Sequence, residues 1–492
     1  MGRHACRGKT RAMARDRGGG QGWSRDSPKK PLSRRHGDQA TERFMKGLSG
    51  FHRAAVALAF AVGLGFAGGP AAAQSTFTLL HSFCVDGTCS DGQFPTGTLV
   101  ADGSHNIFGT TKAGGEHGGG VVFELVYIPN TATYRYKRLY NFCTVVVGCT
   151  DGAQPTGDRL IVDVNGTLYG TTYAGGPSGS GVVFKLVPNA GHTRYTYSVI
   201  YQFCVQFSGC EDGAQPSGAL TFAGEATGGT YDGKAALYGS TLGGGRKHQG
   251  VVFSLVPPAT QGDMGTHKVL YFFCTIGRNA CNDGSQPAGG MVVDKNGNIW
   301  GTTISGGLND SGVIFKLTPT VQGPWAESLP YQFCSVAGCA DGMTPMNGLI
   351  ADSNGDLYGT TATGGLPYKK CAATGCGVVF KITTGNKEST IYSFCSQTDC
   401  TDGGAVQGLS VDPNDNFYGV ASVGGPKNHG LVFKLTGTSL TDLLDLQCRT
   451  LCSMGQNPSG ALMINANLDL FGLMTDAGRH GDAGTAFKVS QP

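Results

Sequence analysis

Cysteine pairs recur along this chain at an interval of roughly 60 residues. Two thiols so close in sequence form a disulfide or supply half of a tetrahedral zinc site. Because each repeat offers only two thiols and no recurring histidine, we predict disulfides in an oxidising compartment and no metal site. The seven repeated pairs, followed by one additional pair, are Cys84 and Cys89, Cys143 and Cys149, Cys204 and Cys210, Cys274 and Cys281, Cys334 and Cys339, Cys395 and Cys400, Cys448 and Cys452, and finally Cys371 and Cys376.

An Asp-Gly step follows the second cysteine in six of the seven repeated pairs. Arranged around an axis, these carboxylates would gather at one channel mouth and bind calcium or a cationic ligand. The alternative is a turn in which Asp accepts bonds from backbone amides and Gly adopts a positive φ. The last copy has Met454-Gly455 instead, so a ring would be incomplete. The six residues are Asp91, Asp151, Asp212, Asp283, Asp341 and Asp402.

Histidines and lysines in the Gly-Gly loops are further candidates for binding. His117, His429 and His480 lie in copies that would be neighbours in a closed ring, where imidazoles bind metal or transfer protons. Ordinary exposed loop histidines are the alternative. An insert in the fifth copy adds Lys369 and Lys370 beside the additional cysteine pair, on a loop that would set specificity. We predict no catalytic residues and no cofactor, because no nucleophile elbow, H-E-x-x-H or nucleotide fingerprint appears.

Each copy contains the residues for four short strands. In the second copy these are the runs 138–143, 159–163, 167–172 and 181–187, separated by the turn segment 149–155, an Asn-Gly hairpin and a Gly-Gly loop. The runs are β-branched or aromatic and are bounded by Gly, Asn, Asp or Pro, which is typical of strands. Hairpin turns, such as Asn354-Gly355 in the first segment, also explain the segments 352–356 and 412–416 better than calcium loops do, since the later bidentate Glu is missing.

Seven such copies predict an all-β protein, a seven-bladed β-propeller of four-stranded blades. We expect the strand before each cysteine pair to be the outermost strand of the preceding blade. Phe77–Cys84 would then complete the last blade, so that the N-terminal strand closes the ring. Successive connections alternate between the two faces, so the cysteine loops and the Gly-Gly loops should share one face.

The repeat resembles the GloVer (Gloeobacter/Verrucomicrobia-type) tandem-repeat proteins of bacteria over nearly all of residues 77–489. The runs that carry the resemblance are Leu-Tyr-Gly-Thr-Thr at 168–172, Gly175-Gly176, and Gly-Val-Val-Phe-Lys-Leu at 181–186. The resemblance implies a secreted propeller and transfers no catalytic residues. Members often carry C-terminal surface anchors; this sequence shows no apolar tail, so we expect a soluble exported protein.

The N-terminal region predicts export. Residues 1–44 carry 12 of the chain's 37 basic residues, and we interpret them as a disordered leader or a mis-assigned start. Residues 45–73 contain a charged segment, an apolar segment of about 14 residues and an A-x-A-like cleavage site, as in a signal peptide. Residues 74–492 would form the single propeller. This body is mildly acidic, which argues against binding to nucleic acid or to an anionic membrane.

The function predicted from these features is binding without catalysis. A rigid exported propeller, expected to be a monomer, would bind a glycan, peptide or protein through the cysteine-loop face. The alternatives are an extracellular polysaccharide hydrolase or lyase that uses side chains at the channel mouth, and a passive structural protein of the envelope.

Overall fold

Short β-branched and aromatic runs form the strands, and Gly, Asn and Asp form the turns between them. The computed structural model describes residues 75–84, 86–144, 148–156, 159–205, 208–277, 280–321, 323–366, 371, 375–446, 455–476, 478 and 483–491. All of them fall within one compact unit of the chain, Pro70–Pro492. No helix among these residues is long and apolar enough to cross a membrane.

The strands form seven antiparallel sheets, each of which is one blade of a propeller. The first strand, β1(Thr76–Ser82), belongs to the last blade. The strands of blades 1 to 3 are β2(Gln93–Ala101), β3(Ile107–Ala113), β4(Val121–Ile128), β5(Thr133–Asn141), β6(Ala153–Pro155), β7(Ile161–Val162), β8(Leu168–Ala174), β9(Val182–Pro188), β10(Tyr195–Gln202), β11(Ala214–Pro216), β12(Thr221–Phe222), β13(Leu237–Gly243), β14(Val251–Val256) and β15(Thr266–Phe272).

Blades 4 to 7 repeat the arrangement. Their strands are β16(Ser285–Val293), β17(Ile299–Ser305), β18(Val313–Thr318), β19(Ala326–Gln332), β20(Ile350–Ala351), β21(Leu357–Thr360), β22(Val378–Ile382), β23(Glu388–Ser393), β24(Gly404–Val411), β25(Phe417–Val423), β26(Leu431–Thr436), β27(Ser439–Asp445), β28(Gln456–Ile464), β29(Leu470–Asp476) and β30(Thr485–Ser490). The described helical segments are single 3-10 turns at Ser208–Cys210, Glu225–Thr227, Ala337–Cys339 and Thr398–Cys400.

The ring closes as predicted. Strand β1 pairs antiparallel with β30, with Phe77 opposite Val489, so the first strand of the chain is the outer strand of blade 7. The predicted fold, a seven-bladed β-propeller with an N-terminal closing strand, is therefore confirmed. The inner strands begin earlier than predicted: residues 153–155, assigned to a turn from the sequence, form β6 and pair with β8.

A backbone conformation rare for side-chain-bearing residues explains this early start. Gln154, Gln215 and Gln286 each precede a proline and have φ of 53°, 57° and 56°. The positive φ turns each N–H towards the preceding blade, where the amide of Gln154 donates to the Gly119 carbonyl at 2.8 Å. The inner strand thus bonds to the preceding blade at Gln154, between Ala153 and Pro155, which both pair with β8 of its own sheet.

The core of blade 2 is the Val-Val-Phe run of β9 packed on the Tyr-Gly-Thr-Thr run of β8, and the other blades have these runs or variants of them. Val182, Val183 and Phe184 are fully buried. A Cβ on Gly170 would lie 2.7 Å from Phe184 Cζ, so the glycine of this motif leaves space for the ring. Phe184 also packs across the blade seam with Phe142 from the loop after β5, at a centroid distance of 5.2 Å.

Disulfides close the loops between blades. Seven of the eight predicted bonds are formed, and the eighth pair, Cys448 and Cys452, lies outside the described residues. Six of the bonds lie in repeated cysteine loops, each of which connects the outer strand of one blade to the inner strand of the next. Such short-range disulfides in a chain of this kind indicate an oxidising compartment. The seven bonds join Cys84 and Cys89, Cys143 and Cys149, Cys204 and Cys210, Cys274 and Cys281, Cys334 and Cys339, Cys371 and Cys376, and Cys395 and Cys400.

Candidate functional site

The cysteine loops and the Gly-Gly loops meet on one face of the propeller. In blade 1 the amide of Gly115 donates to the Cys89 carbonyl at 2.8 Å, and in blade 5 the amide of Gly365 donates to the Cys339 carbonyl at 2.9 Å. Blades 2, 3, 4 and 6 make the same bond. The shared face predicted from the alternation of connections is confirmed, and we call it the cysteine-loop face.

The six Asp-Gly carboxylates lie beneath this face, at the seams between blades. Asp212 is buried and accepts hydrogen bonds from the Tyr201 hydroxyl at 2.8 Å and from the Cys204 amide at 3.0 Å. Asp341 accepts equivalent bonds from the Tyr331 hydroxyl and the Ser335 amide. The same tyrosine and amide contacts recur at Asp151, Asp283 and Asp402, while Asp91 pairs with His81 and with the Cys84 amide.

These contacts favour the loop-anchor interpretation of the Asp-Gly steps over a ring of free carboxylates. Five of the six side chains are buried, and the sixth, Asp91, is nearly so. An acceptor already bonded to a hydroxyl and an amide has few lone pairs left to offer a cation. The ring of cation-binding carboxylates therefore stays a prediction.

At two of the seams between blades, the side chain that packs against the neighbouring blade is a glutamate. The Tyr271 hydroxyl lies 3.0 Å from a carboxylate oxygen of Glu327 on β19 and 3.0 Å from one of Asp283. Burial, with the Asp283 charge adding to it, raises the pKa of Glu327 to about 7. At the next seam, burial near Asp341 raises the pKa of Glu388 to about 7.

The histidine and lysine candidates are only partly described. His117 is exposed in the Gly-Gly loop of blade 1. His429 is half-buried beside a cavity of about 440 Å³ that Asn428, Gln456 and Asn457 also line. His480, Lys369 and Lys370 lie outside the described residues, so the predicted histidine trio and the lysine pair remain predictions.

The central channel has a volume of about 1240 Å³ and is lined by the inner strands of all seven blades. Charged side chains among its described lining are Lys112, Arg159, Glu225 and Asp476. Arg159 forms an ion pair with Glu225, which also accepts a hydrogen bond from the Thr221 hydroxyl. Asp476 accepts a hydrogen bond from Asn457.

One element of the channel wall was not predicted from the sequence. Residues 223–236 form a long connection between β12 and β13, and its 3-10 turn Glu225–Thr227 brings Glu225 to the channel wall opposite the cysteine-loop face. Tyr231 is buried and anchors the connection through a hydrogen bond to the Ala235 carbonyl at 2.6 Å. The unusual length of this hairpin, compared with the Asn-Gly hairpins elsewhere, was the available signal.

The cysteine-loop face also exposes large aliphatic side chains. Ile276 and Val336 lie in successive cysteine loops, and Leu308 and Leu366 lie in the Gly-Gly loops of blades 4 and 5. The exposed fractions of Ile276, Val336, Leu308 and Leu366 are 52%, 49%, 73% and 46% in that order. We call these four residues the apolar arc.

Comparisons with solved structures match the fold at low similarity. The extracellular domain of a putative one-component system from B. thetaiotaomicron has 11% identity and a TM-score of 0.47, covering 85% of this chain and 42% of that one. A putative 6-phosphogluconolactonase from Bacteroides uniformis has 13% identity and a TM-score of 0.45, covering 78% and 98%. Trypanosoma rangeli sialidase has 8% identity and a TM-score of 0.38, covering 84% and 59%. At this similarity no activity is transferred.

The family is shown by sequence. No curated protein sequence matches this chain significantly. The model of the Gloeobacter/Verrucomicrobia repeat matches residues 65–236 and 225–372, which together exceed half of the chain. The family predicted from the repeated runs is therefore confirmed, and the chain belongs to the Gloeobacter/Verrucomicrobia repeat family.

Proposed function

We propose that this protein is an exported, disulfide-stabilised β-propeller that binds a protein or peptide partner through the cysteine-loop face, without catalysis. The observation that carries the proposal is the apolar arc. Large exposed aliphatic side chains grouped on one face of an otherwise well-packed protein indicate a site of interaction with another molecule.

Hydrogen bonds connect the loops that carry the arc. The loop of Leu308 bonds to the loop of Ile276 through Gly307 and Cys281. On its other side, the Asn309 side chain donates to the Cys334 carbonyl at 2.9 Å, in the loop that carries Val336. That loop in turn bonds through its Cys339 carbonyl to the Gly-Gly loop of Leu366. Four exposed aliphatic residues are thus held on adjoining loops across two blades.

The chemistry of the arc favours a polypeptide over a glycan. Burying an exposed leucine or isoleucine contributes about 1.5–3 kcal/mol, which a partner with apolar side chains can supply. Sugars are bound by stacking on aromatic rings and by hydrogen bonds, and the four side chains of the arc offer neither. Protein interfaces, in contrast, have an apolar centre with a polar rim.

A basic loop lies beside the arc. Arg246, Lys247 and His248 are exposed in the Gly-Gly loop of blade 3, and the carbonyl of Gln249 in that loop accepts the Gln286 amide of blade 4. The Arg246 guanidinium lies 4.5 Å from the centre of the Phe272 ring, which holds it in place. We therefore expect the partner segment to combine apolar residues with Asp or Glu.

The rigidity of the face supports tight binding. The six described cysteine loops are closed by disulfides and bonded both to a buried or nearly buried Asp and to a Gly-Gly loop. Loops that are ordered before binding lose little conformational entropy when the partner arrives.

The test uses a peptide array and a glycan array probed with the purified protein and with two variants. Leu308→Asp lies in the arc, and Val164→Asp is the control, because Val164 is 64% exposed on a hairpin of the opposite face. We expect peptides rich in acidic and apolar residues to bind, Leu308→Asp to lose the binding and Val164→Asp to keep it. Binding to glycans alone, unaffected by Leu308→Asp, would overturn the proposal.

Catalysis and export have separate tests. Release of reducing sugar from an extracellular polysaccharide by the purified protein would contradict the proposal that no reaction occurs.

An intact-mass measurement of the exported protein tests the signal peptide, and we expect the mature chain to begin at Gln74. A mature chain that retains residues 45–73 would contradict export by this route.

A further inference from the structure

Two disulfides lie in direct contact at one place in the ring. The Cys371–Cys376 bond of the blade 5 insert packs against the Cys395–Cys400 bond of the following cysteine loop, and the Sγ atoms of Cys371 and Cys395 are 3.5 Å apart. All four sulfur atoms lie within 4.8 Å of one another. The described residues contain no second cluster of this kind. The positions of the two cysteine pairs in the sequence gave no indication that the two disulfides would be in contact.

A glycine makes room for this four-sulfur cluster. A Cβ on Gly404 would lie 3.0 Å from Cys376 Cβ and 3.3 Å from Cys371 Sγ. The backbone of Gly404 is not left-handed, so glycine is present for space and not for its conformation. The residues at the equivalent position in the other copies, two after the Asp or Met of the Asp-Gly or Met-Gly step, all carry side chains; they are Gln93, Ala153, Ala214, Ser285, Met343 and Gln456.

We propose that the four-sulfur cluster is a thiol-exchange site that reacts with a small thiol and interconverts two disulfide pairings. Cys371 is the half-buried sulfur through which the reaction begins, while Cys376, Cys395 and Cys400 are buried. Exchange requires a thiolate within reach of a disulfide sulfur, and the contact between the two bonds provides that geometry.

The reaction balances without an oxidant or a reductant. The thiolate of the small thiol attacks Cys371 Sγ, and the electron pair of the Cys371–Cys376 bond leaves on Cys376. The Cys376 thiolate attacks Cys400 Sγ, forming Cys376–Cys400 and leaving the pair on Cys395. The Cys395 thiolate then attacks Cys371 Sγ and expels the small thiol. The net change is from Cys371–Cys376 and Cys395–Cys400 to Cys371–Cys395 and Cys376–Cys400.

The new pairing joins the Gly-Gly loop of blade 5 to the cysteine loop between blades 5 and 6. The insert borders the apolar arc, because Leu366 precedes it in the same loop. Exchange would therefore change the shape of the cysteine-loop face without a net change in oxidation state. This inference does not depend on the identity of the partner that the face binds.

The direct test is Cys376→Ser, which leaves Cys371 as a free thiol beside the intact Cys395–Cys400 bond. After equilibration at neutral pH, the protein is quenched in acid, unfolded and alkylated, and the labelled cysteine is identified by mass spectrometry. If exchange occurs, the label appears at Cys400 as well as at Cys371. Cys400 should carry about half of the total label if the Cys371–Cys395 and Cys395–Cys400 bonds are equally stable. The matched control is Cys149→Ser, in which the label should remain on Cys143.

Label confined to Cys371 at equilibrium would overturn the proposal. A second measurement holds even if Cys376→Ser does not fold. The wild-type protein is incubated with a catalytic amount of cysteine or glutathione, and its disulfides are then mapped. We expect a Cys371–Cys395 cross-link to appear while Cys143–Cys149 stays intact in the same digest, and we expect Gly404→Ala to slow its formation. No cross-link, or equal scrambling at Cys143–Cys149, would contradict a dedicated site.

Discussion

The phenol ring of Tyr197 lies flat on that of Tyr140, with the ring centroids 3.9 Å apart. Tyr140 belongs to the outer strand of blade 1 and Tyr197 to that of blade 2, so the stack crosses a seam. Asp151, in the cysteine loop between them, accepts a hydrogen bond from Tyr140 with its carboxylate and from Tyr197 with its carbonyl. One disulfide-closed loop therefore fastens two blades together as well as connecting them.

The buried carboxylates at the seams should stabilise the fold. We expect Asp212→Ala to lower the free energy of unfolding by about 1–3 kcal/mol, because the Tyr201 hydroxyl and the Cys204 amide lose their acceptor inside the protein. Denaturant unfolding measures the change. The control is Glu211→Ala at the exposed neighbouring position, which should change stability by less than about 0.5 kcal/mol. Unchanged stability in Asp212→Ala, with loss of calcium binding, would support the cation ring instead.

The acids at the seams should make stability fall as the pH rises. The pKa of Glu327 is near 7 in the folded protein and near its ordinary 4.5 when unfolded, so the folded state holds a proton between those values that the unfolded state has released. A protonated Glu327 can donate to the Tyr271 hydroxyl while that hydroxyl donates to Asp283. The contribution of this proton to the free energy of unfolding is fully present below pH 4.5, and it is lost as the pH rises through 7.

Glu327→Gln should therefore be more stable than the wild type at pH 8, by on the order of 1 kcal/mol after allowance for its partial exposure. The difference should vanish near pH 4, below the ordinary pKa of the carboxyl. Glu388→Gln should behave alike, and Glu211→Gln, at an exposed position, serves as the control. Identical pH profiles for Glu327→Gln and the wild type would refute the assignment.

His267 occupies the position at which two other blades have tyrosine. Its imidazole stacks on Tyr201 with a centroid distance of 4.1 Å, and burial lowers its pKa to about 4. Because the unfolded histidine accepts a proton near its ordinary pKa of 6.5, this site loses stability as the pH falls from 6.5 to 4.

Replacement of His267 by tyrosine should remove that loss. The equivalent Tyr136 and Tyr197 each donate to the backbone carbonyl of a seam Asp, and the new hydroxyl would reach the Asp212 carbonyl in the same way. We expect His267→Tyr to be more stable than the wild type by about 1 kcal/mol at pH 7 and by more at pH 5. Thermal unfolding at the two pH values measures this, and an advantage that shrinks at the lower pH would contradict it.

Closure of the ring can be tested at Phe83, next to the N-terminal strand. Phe83 is fully buried and packs on Phe123 of blade 1 at a centroid distance of 5.2 Å. We expect Phe83→Ala to cost about 3–5 kcal/mol, the same as Phe142→Ala at the internal seam between blades 1 and 2. A negligible effect at Phe83 beside a large one at Phe142 would indicate an open ring.

The sequence was sufficient for features that each repeat encodes locally. Short strands, turns and cysteine pairs are separated by few residues, so the runs at 168–172 and 181–186 predicted the blades, and the run before the first cysteine pair predicted the closing strand. The approach of Cys371 to Cys395 depends instead on how two loops pack together, and the burial of Glu327 against Tyr271 depends on how one blade packs on the next. Those contacts join residues 24 and 56 positions apart, and no local pattern reports them.

The candidate site was predictable from the sequence only in part. Alternation of connections placed the Gly-Gly and cysteine loops on one face, but the Asp-Gly carboxylates turned out to lie beneath it, bonded to tyrosines such as Tyr331. The apolar arc was not anticipated, because an exposed Leu308 and a buried Leu317 cannot be told apart until the loop and the strand are placed.

Hydrogen–deuterium exchange with an array-selected peptide tests the role of the cysteine-loop face most directly. We predict slower exchange on binding in the loops that carry Ile276, Leu308, Val336 and Leu366, with no change in the opposite-face hairpins at 164–167 and 295–298. Protection confined to the opposite face, or to the channel wall around Glu225, would contradict the proposed binding surface.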